Sequence, residues 1–553
     1  MRPLRIGNFS GFYGDRFTAL AEMLAGGEVD VLTGDYLAEL TMLILARDRM
    51  RNAQLGYAKT FLAQLEDSLI AAIERGVRIV SNAGGLNPAG LAAEVVALGH
   101  RLGRSVAVGS VSGDDVREHF PDAVAANAYL GAFGIAECLK AGAQIVVTGR
   151  VTDAALTVGP AAAHFGWQRE DHDRLAGAMV AGHVLECGTQ ATGGNYAFFT
   201  ELSDLRRPGF PIAEIQADGS STIGKHPGTG GAVTVGTVTA QLLYEIAGPR
   251  YAGPDATARF DTIQLSPAGP DRVRITGVRG EPPPPELKVS VTAIEGFRNE
   301  MTFVLTGLDL QAKAALVKSQ LDWPGAEWTS YGQPDPDADS EFGASMLLQC
   351  VVRDLDPAVV GRQFSDRAVQ LALASYPGCH LTAPPGPAQP TGVFRAGYLP
   401  QDAVGQRAVL PDGTVVEVPV PTETRSLSAL AEPAVVGPAP AGPTRRVPLG
   451  RVAGARSGDK GGDANLGVWA RDQAGFRWLA GYLTVARLRE LLPELASLPI
   501  ERHLLPNLHA LNFVVHDLLG RGVAWNARFD PQGKALGEWL RGHSVDVPEA
   551  LLS

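Results

Sequence analysis

The feature that most constrains this chain is a repeated local pattern. A short apolar run is followed by a turn of Gly, Asn, Asp, Ser or Thr, and then by a helix-forming stretch. It is clearest at residues 144–160. Gln144-Ile145-Val146-Val147-Thr148 reads as a buried strand, Gly149-Arg150-Val151-Thr152 as a polar turn, and Asp153 as the opening of a helix. Asp and Thr oxygens accept the free N–H groups at a helix start. The pattern also follows residues 4–6 (turn 7–15), 29–32 (turn 33–35), 77–80 (turn 81–87, with Pro88 where a helix can begin) and 106–108 (turn 109–114). This alternation predicts an α/β core built on a doubly wound, mostly parallel sheet.

In parallel sheets ligands bind at the carboxyl ends of the strands, so the turns at 7–15, 81–87 and 148–153 are expected to line one cleft. Arg150 brings a planar, permanently charged fork suited to an anion. The bland alternative is that Arg150 and Asp153 only pair with each other. Asn8 lies in the first turn and Asn82 in the third; Asn82 is a candidate donor to an oxyanion. In the stretch 182–196, Glu186 adjoins Cys187. Asp153 or Glu186 is the acid/base candidate, and Cys187 is a nucleophile candidate if a base such as His183 or His226 lowers its pKa. A buried, inert thiol is the plain alternative.

Two glycine patterns are weaker than they look. Gly7, Gly11 and Gly14 are spaced GxxxGxxG, which departs from the dinucleotide fingerprint. Gly219 to His226 matches most of a phosphate-binding P-loop, but His226 replaces the hydroxyl residue and Pro227 follows, so a nucleotide triphosphatase is excluded. After it, residues 227–231 precede a predicted helix at 232–246. Lys225, His226, Gly230 and Gly231 would there form a glycine-rich, cationic helix start suited to phosphate or carboxylate.

From residue 260 the alternation becomes strand-like at 272–278, 287–293 and 301–305. A helix (309–320), a strand (346–352) and a helix (357–375) follow, the order of an α+β subdomain. Prolines crowd residues 384–445, read as a linker with a hairpin around 410–414. A small domain then begins, with a strand at 447–453, a polar turn at 456–465 holding Asp459, Lys460, Asp463 and Asn465, strands near 508–515 and 523–529, and a last helix at 534–540. The expected division is 1–255 (core with the cleft), 256–383 (α+β subdomain), 384–445 (linker) and 446–553 (C-terminal domain).

Composition narrows the function classes. The 553 residues carry a net charge of -11, which argues against a general nucleic-acid or acidic-membrane surface. Four widely spaced cysteines (Cys138, Cys187, Cys350, Cys379) form no zinc or CxxC pattern, and no metal site is expected. Neither a signal-peptide core nor an apolar run long enough for a bilayer is present, which fits a cytoplasmic protein.

Five motifs in order, SNAGGLNP (81–88), VVTGRVTDAALTVGP (146–160), HVLECGTQATGGN (183–195), KHPGTGGAVTV (225–235) and ARSGDKGGDANLGV (455–468), resemble the acyclic terpene utilisation protein AtuA family. The resemblance covers nearly the whole chain. It implies an AtuA-type core, a C-terminal domain of ferredoxin-like fold, and a place in the bacterial breakdown of citronellol- and geraniol-type compounds as coenzyme A thioesters. The implied ligand is a branched acyl-CoA or related carboxylate, whose phosphates Lys225 and Arg150 would suit. The expected protein is a homo-oligomeric enzyme of hydratase, lyase or thioester type, with coenzyme A present only as part of the substrate and no separate cofactor. A non-catalytic accessory or assembly protein of an acyl-CoA pathway is the alternative.

Overall fold

The structure is a computed structural model that describes residues 2–552. Two compact units make up the chain: Met1–Thr292 with Phe394–Val523 and Asp530–Ser553, and Ala293–Val393 with Ala524–Phe529.

The first unit is built on an eleven-stranded sheet. Its centre holds the predicted strands as Leu4–Ser10, Val31–Gly34, Arg78–Ser81, Ile145–Thr148 and Val108–Ser112, side by side in that order and all parallel. Most of their residues are buried because both faces are covered. Successive side chains of a strand point to opposite faces. Val31, Val80 and Val146 therefore join one core layer with the helices Phe133–Lys140, Ala155–Phe165 and His172–Glu186. Leu32, Ile79, Ile145 and Val147 join the other, with Ala19–Gly26, Lys59–Glu74 and Pro88–Arg101. The last of these helices starts at Pro88 as expected, and the Asn87 side chain caps it by accepting from the Gly90 N–H at 3.0 Å.

The sheet as a whole is mixed rather than mostly parallel. Beyond Leu4–Ser10 it continues antiparallel through Pro211–Ile215, Ser221–Lys225, Val273–Thr276 and Gln264–Pro267. Beyond Val108–Ser112 the hairpin Arg407–Val409/Val415–Glu417 adds two more antiparallel strands. The proline-rich stretch is thus only partly a linker: it holds the strand Gln389–Pro400 and this hairpin, and residues 421–443 lack strand and helix. The P-loop-like sequence is an internal strand of the sheet, which agrees with its rejection as a nucleotide loop.

Within the same unit, Ala453–Lys460, Asp463–Ala470, Ala510–Val515 and Ile500–Leu505 form a four-stranded antiparallel sheet. The helices Gln473–Tyr482 and Leu536–Gly542 cover it through Phe476, Leu479, Leu536 and Leu540. The polar stretch 456–465 is a tight hairpin, not a loop. Strand pairing runs to Lys460 and resumes at Asp463, and only Gly461-Gly462 turns, with Gly461 at φ +69°. The strand expected at 523–529 does not form.

The second unit is α+β. Its strands are the latter part of Glu286–Thr306, with Glu327–Tyr331, Ser345–Asp354 and His380–Leu381. Helices Leu310–Leu321 and Phe364–Gln370 pack on them through Val317, Leu321, Phe364, Phe303 and Leu348.

Candidate active site

The carboxyl ends of the parallel strands converge, as expected. Asn82 ends the third strand; its Nδ2 donates to Asp35 Oδ1 at 2.6 Å, and its Oδ1 accepts from the Tyr36 N–H at 2.8 Å. The amide is therefore committed to holding Asp35 rather than to an oxyanion. Asp35 is buried, and burial, together with the nearby charge of Asp153, holds its carboxyl well above the usual range. The backbone N–H of Arg150 donates to buried Asp114 at 2.8 Å, and Asn127 donates to the same oxygen at 2.7 Å. Burial pushes Asp114 up to about 6.

Arg150 is only 4% exposed. It donates to the Leu37 carbonyl at 2.8 Å, stands 3.0 Å from Asp153 Oδ1, and lies 4.2 Å above the Tyr129 ring. Burial lowers its pKa, but Asp153, Tyr129 and Asp35 outweigh this, so it stays charged. The fork offered to a ligand in the sequence reading is thus largely occupied by the protein. Asp153 does not cap the helix that follows: the helix begins at Ala155, with no side-chain cap. Its carboxylate instead faces Arg150 with 29% of the side chain still open to solvent.

The first turn brings the end of helix His172–Glu186 into the same recess. A Cβ on Gly11 would lie 2.7 Å from the Cys187 carbonyl carbon, so only glycine allows this approach. Glu186 Oε1 stands 2.9 Å from His183 Nδ1, and both residues are buried. Burial raises the Glu186 carboxyl well above the ordinary range, with Asp153 and Glu245 adding to it. Burial lowers His183 to about 4. Both shifts favour the uncharged forms of the pair. Cys187 also rises, from burial first and then from Glu186 and Glu245. It stays a thiol, whereas a nucleophile must be a thiolate. Asn8 is buried nearby: its Nδ2 donates to the Ser10 carbonyl at 2.9 Å, and its Oδ1 has no hydrogen-bond partner among the described residues.

The third contribution comes from the small C-terminal domain, and sequence reading did not place it here. Lys460 Nζ donates to the Glu245 carbonyl at 2.9 Å, and the Glu245 N–H donates to Asn465 Oδ1 at 2.7 Å. Asn465 in turn donates to Asn512. Lys534 donates to the Tyr244 hydroxyl at 2.6 Å, and Arg456 lies 4.4 Å over the Tyr244 ring while donating to Gln190. Burial and then Glu39 raise the Asp459 carboxyl to about 6. Asp463 turns away and stands 2.9 Å from His516. Glu39, Tyr129, Glu245 and Lys288 belong to the same electrostatic neighbourhood and were missed.

Other predicted residues lie elsewhere. Lys225, with 4% side-chain exposure, donates to the Thr229 carbonyl at 2.7 Å and stands 3.1 Å from Asp271. His226 packs against Gly26 and Gly27, with Nε2 3.1 Å from the Met23 carbonyl. Gly230 and Gly231 lie in a turn before the helix, which runs Val235–Leu242 and is capped by Thr234. Their N–H groups are therefore not a helix start.

A mixed α/β sheet with acid-bearing strand-end turns, a helix-end Glu–His pair and an α+β domain packed beside them defines a protein with a cluster of buried, interacting charged groups at the carboxyl edge of its parallel strands. The chain belongs to the acyclic terpene utilisation family AtuA, whose model matches residues 4–410 and ties the protein to acyclic terpene utilisation. The AtuA ferredoxin-like domain matches residues 447–546, the four-stranded domain described above. No curated protein and no solved structure matches the chain. Among the described residues, no helix is long and apolar enough to cross a membrane.

Proposed function

We propose that the protein is an enzyme of acyclic terpene breakdown that acts on a branched acyl-CoA or related carboxylic intermediate by acid/base chemistry of the hydratase or lyase type. The observation that carries this reading is the pair of unlike carboxyl groups in one recess. Asp153 stands beside the fixed charge of Arg150, whereas Glu186 faces a neutral imidazole. Carboxyl groups in surroundings this unlike divide acid and base roles between them. Glu186 then gives a proton and Asp153 takes one, which is what adding or removing water across a double bond requires. A covalent thioester route through Cys187 is disfavoured because its thiol is held protonated.

The test is a thermal-shift screen of the full chain against branched acyl-CoA thioesters, followed by turnover of the thioester that stabilises it. Asp153→Asn and Glu186→Gln are expected to keep binding and to lose roughly a hundred-fold or more in rate, the usual weight of a general acid or base. If no thioester raises the melting temperature, or if both variants turn over like wild type, the reading fails. Co-purification with an acyl-CoA enzyme, without any thioester binding, would favour an assembly role instead.

A further inference from the structure

The same neighbourhood holds two lysines whose ammonium donors the protein leaves largely free. Lys288 lies on the strand Glu286–Thr306. Its Nζ sits 5.1 Å from the Tyr129 ring and 5.6 Å from the Phe394 ring, and no described carboxylate comes within 4.0 Å of it. Among the described residues it makes no hydrogen bond, so all three ammonium donors are unassigned. Lys460 arrives from the C-terminal hairpin and uses one donor, on the Glu245 carbonyl. The two lysines interact electrostatically, and the Phe394 ring that flanks Lys288 also lies against Gly461, the residue after Lys460. Lys460 is lowered by burial and then by Lys288, whereas Lys288 is raised, by Tyr129 first and then, against burial, by Glu39. Arg150, on the same Tyr129 ring, already has protein partners on two of its nitrogens.

A recessed ammonium whose donors lack hydrogen-bond partners is costly, and an aromatic face and the more distant charge of Glu39 offset only part of that. Two such groups side by side add repulsion. An oxyanion with several acceptor oxygens relieves both costs at once, and lysine is a point-charge binder of phosphate and carboxylate.

We infer that Lys288 and Lys460 form an oxyanion subsite of the cleft, completed only when the C-terminal domain is docked, and that it takes a carboxylate or phosphate group of the ligand. The inference rests on the cleft being a ligand site as proposed above.

The experiment is a set of thermal melts of full-length wild type, Lys288→Met and Lys460→Met with inorganic phosphate, isovalerate and isovaleryl-coenzyme A. Methionine keeps an apolar stem against the rings. Lys288→Met is therefore expected to melt without ligand close to wild type, since it removes an ammonium that makes no hydrogen bond. Wild type is expected to be stabilised by phosphate, by isovalerate, or by both, which also tells a phosphate subsite from a carboxylate one. Each variant is expected to need at least ten-fold more of that anion for the same shift. Lys460→Arg, which keeps charge and donor, guards against loss of the Glu245 contact and is expected to recover part of the binding. Anions that stabilise neither wild type nor variants, or that stabilise all of them equally, would overturn the subsite. Response to phosphate or isovalerate but to no thioester would remove the acyl-CoA reading and leave the subsite standing.

Discussion

Replacing Arg150 by alanine tests whether its guanidinium chiefly holds the cleft together. Three contacts are lost: the 2.8 Å bond to the Leu37 carbonyl, the 3.0 Å approach to Asp153, and the stack on Tyr129. A hydrogen bond from a charged donor contributes about 1.5–3 kcal/mol, and a partly desolvated cation over a ring about 1–2 kcal/mol. The Asp153 pair is discounted to about 1 kcal/mol, because that carboxylate keeps 29% exposure and is screened. Shared partners make these terms less than additive, so the expected loss is about 3–5 kcal/mol. The turn backbone should survive, because Asp114 is held by the Arg150 N–H and not by its side chain. Arg150→Lys is expected to recover about half, since one ammonium cannot serve Leu37 and Asp153 together. Asp153→Ala should cost about 1–2 kcal/mol, and the double variant should be no worse than Arg150→Ala alone. Thermal melts rank the variants, and hydrogen exchange at residues 37–39 and 148–153 shows whether the loss is local. An Arg150→Ala protein that melts within about 1 °C of wild type would refute the reasoning. So would a double variant whose loss equals the sum of the singles.

Other outcomes follow from the same geometry. The Asp114 carboxyl is raised to about 6, so between its ordinary value and that pH the native state keeps a proton the unfolded chain releases, and this group's contribution falls as pH rises. His183, lowered to about 4, works in the opposite direction up to its ordinary value. The check is therefore a difference: Asp114→Asn should gain on wild type between pH 4.5 and pH 7 in urea midpoints, and an unchanged gap would contradict the burial argument. Asn465→Ala removes the acceptor of the Glu245 N–H and a partner of Asn512, and should cost about 1–3 kcal/mol; a melt equal to wild type would mean that this contact does not hold the C-terminal domain. Cys187 should alkylate with iodoacetamide at pH 7 at least about a hundred-fold more slowly than a free thiol, and fast labelling would reopen its nucleophile role.

The sequence by itself determined the local grammar of this protein. Apolar runs such as Ile145–Thr148 had to be strands covered on both faces, because nothing polar interrupts them. Pro88 announced a helix start, since ring geometry acts within a few residues. The residues that end those strands, among them Arg150, Asp153 and Asn82, were therefore legible as strand-end residues at one edge of the sheet, and Glu186 and Cys187 as an acid beside a thiol in a small, polar stretch. Only the tertiary structure decided what those residues touch. Asp153 looked like a helix cap but faces Arg150, and Lys225 looked like a phosphate grip but pairs with Asp271. The antiparallel strands at both sheet edges carry the same alternation as any half-buried strand, so no local signal says which sheet they extend. Lys288 reads as the polar face of such a strand, Glu245 as an ordinary helix end, and Lys460 as a turn residue. Their meeting depends on a domain more than two hundred residues further along the chain docking beside Glu245. Contacts of that span arise from packing of whole surfaces, which periodicity and turn chemistry do not encode.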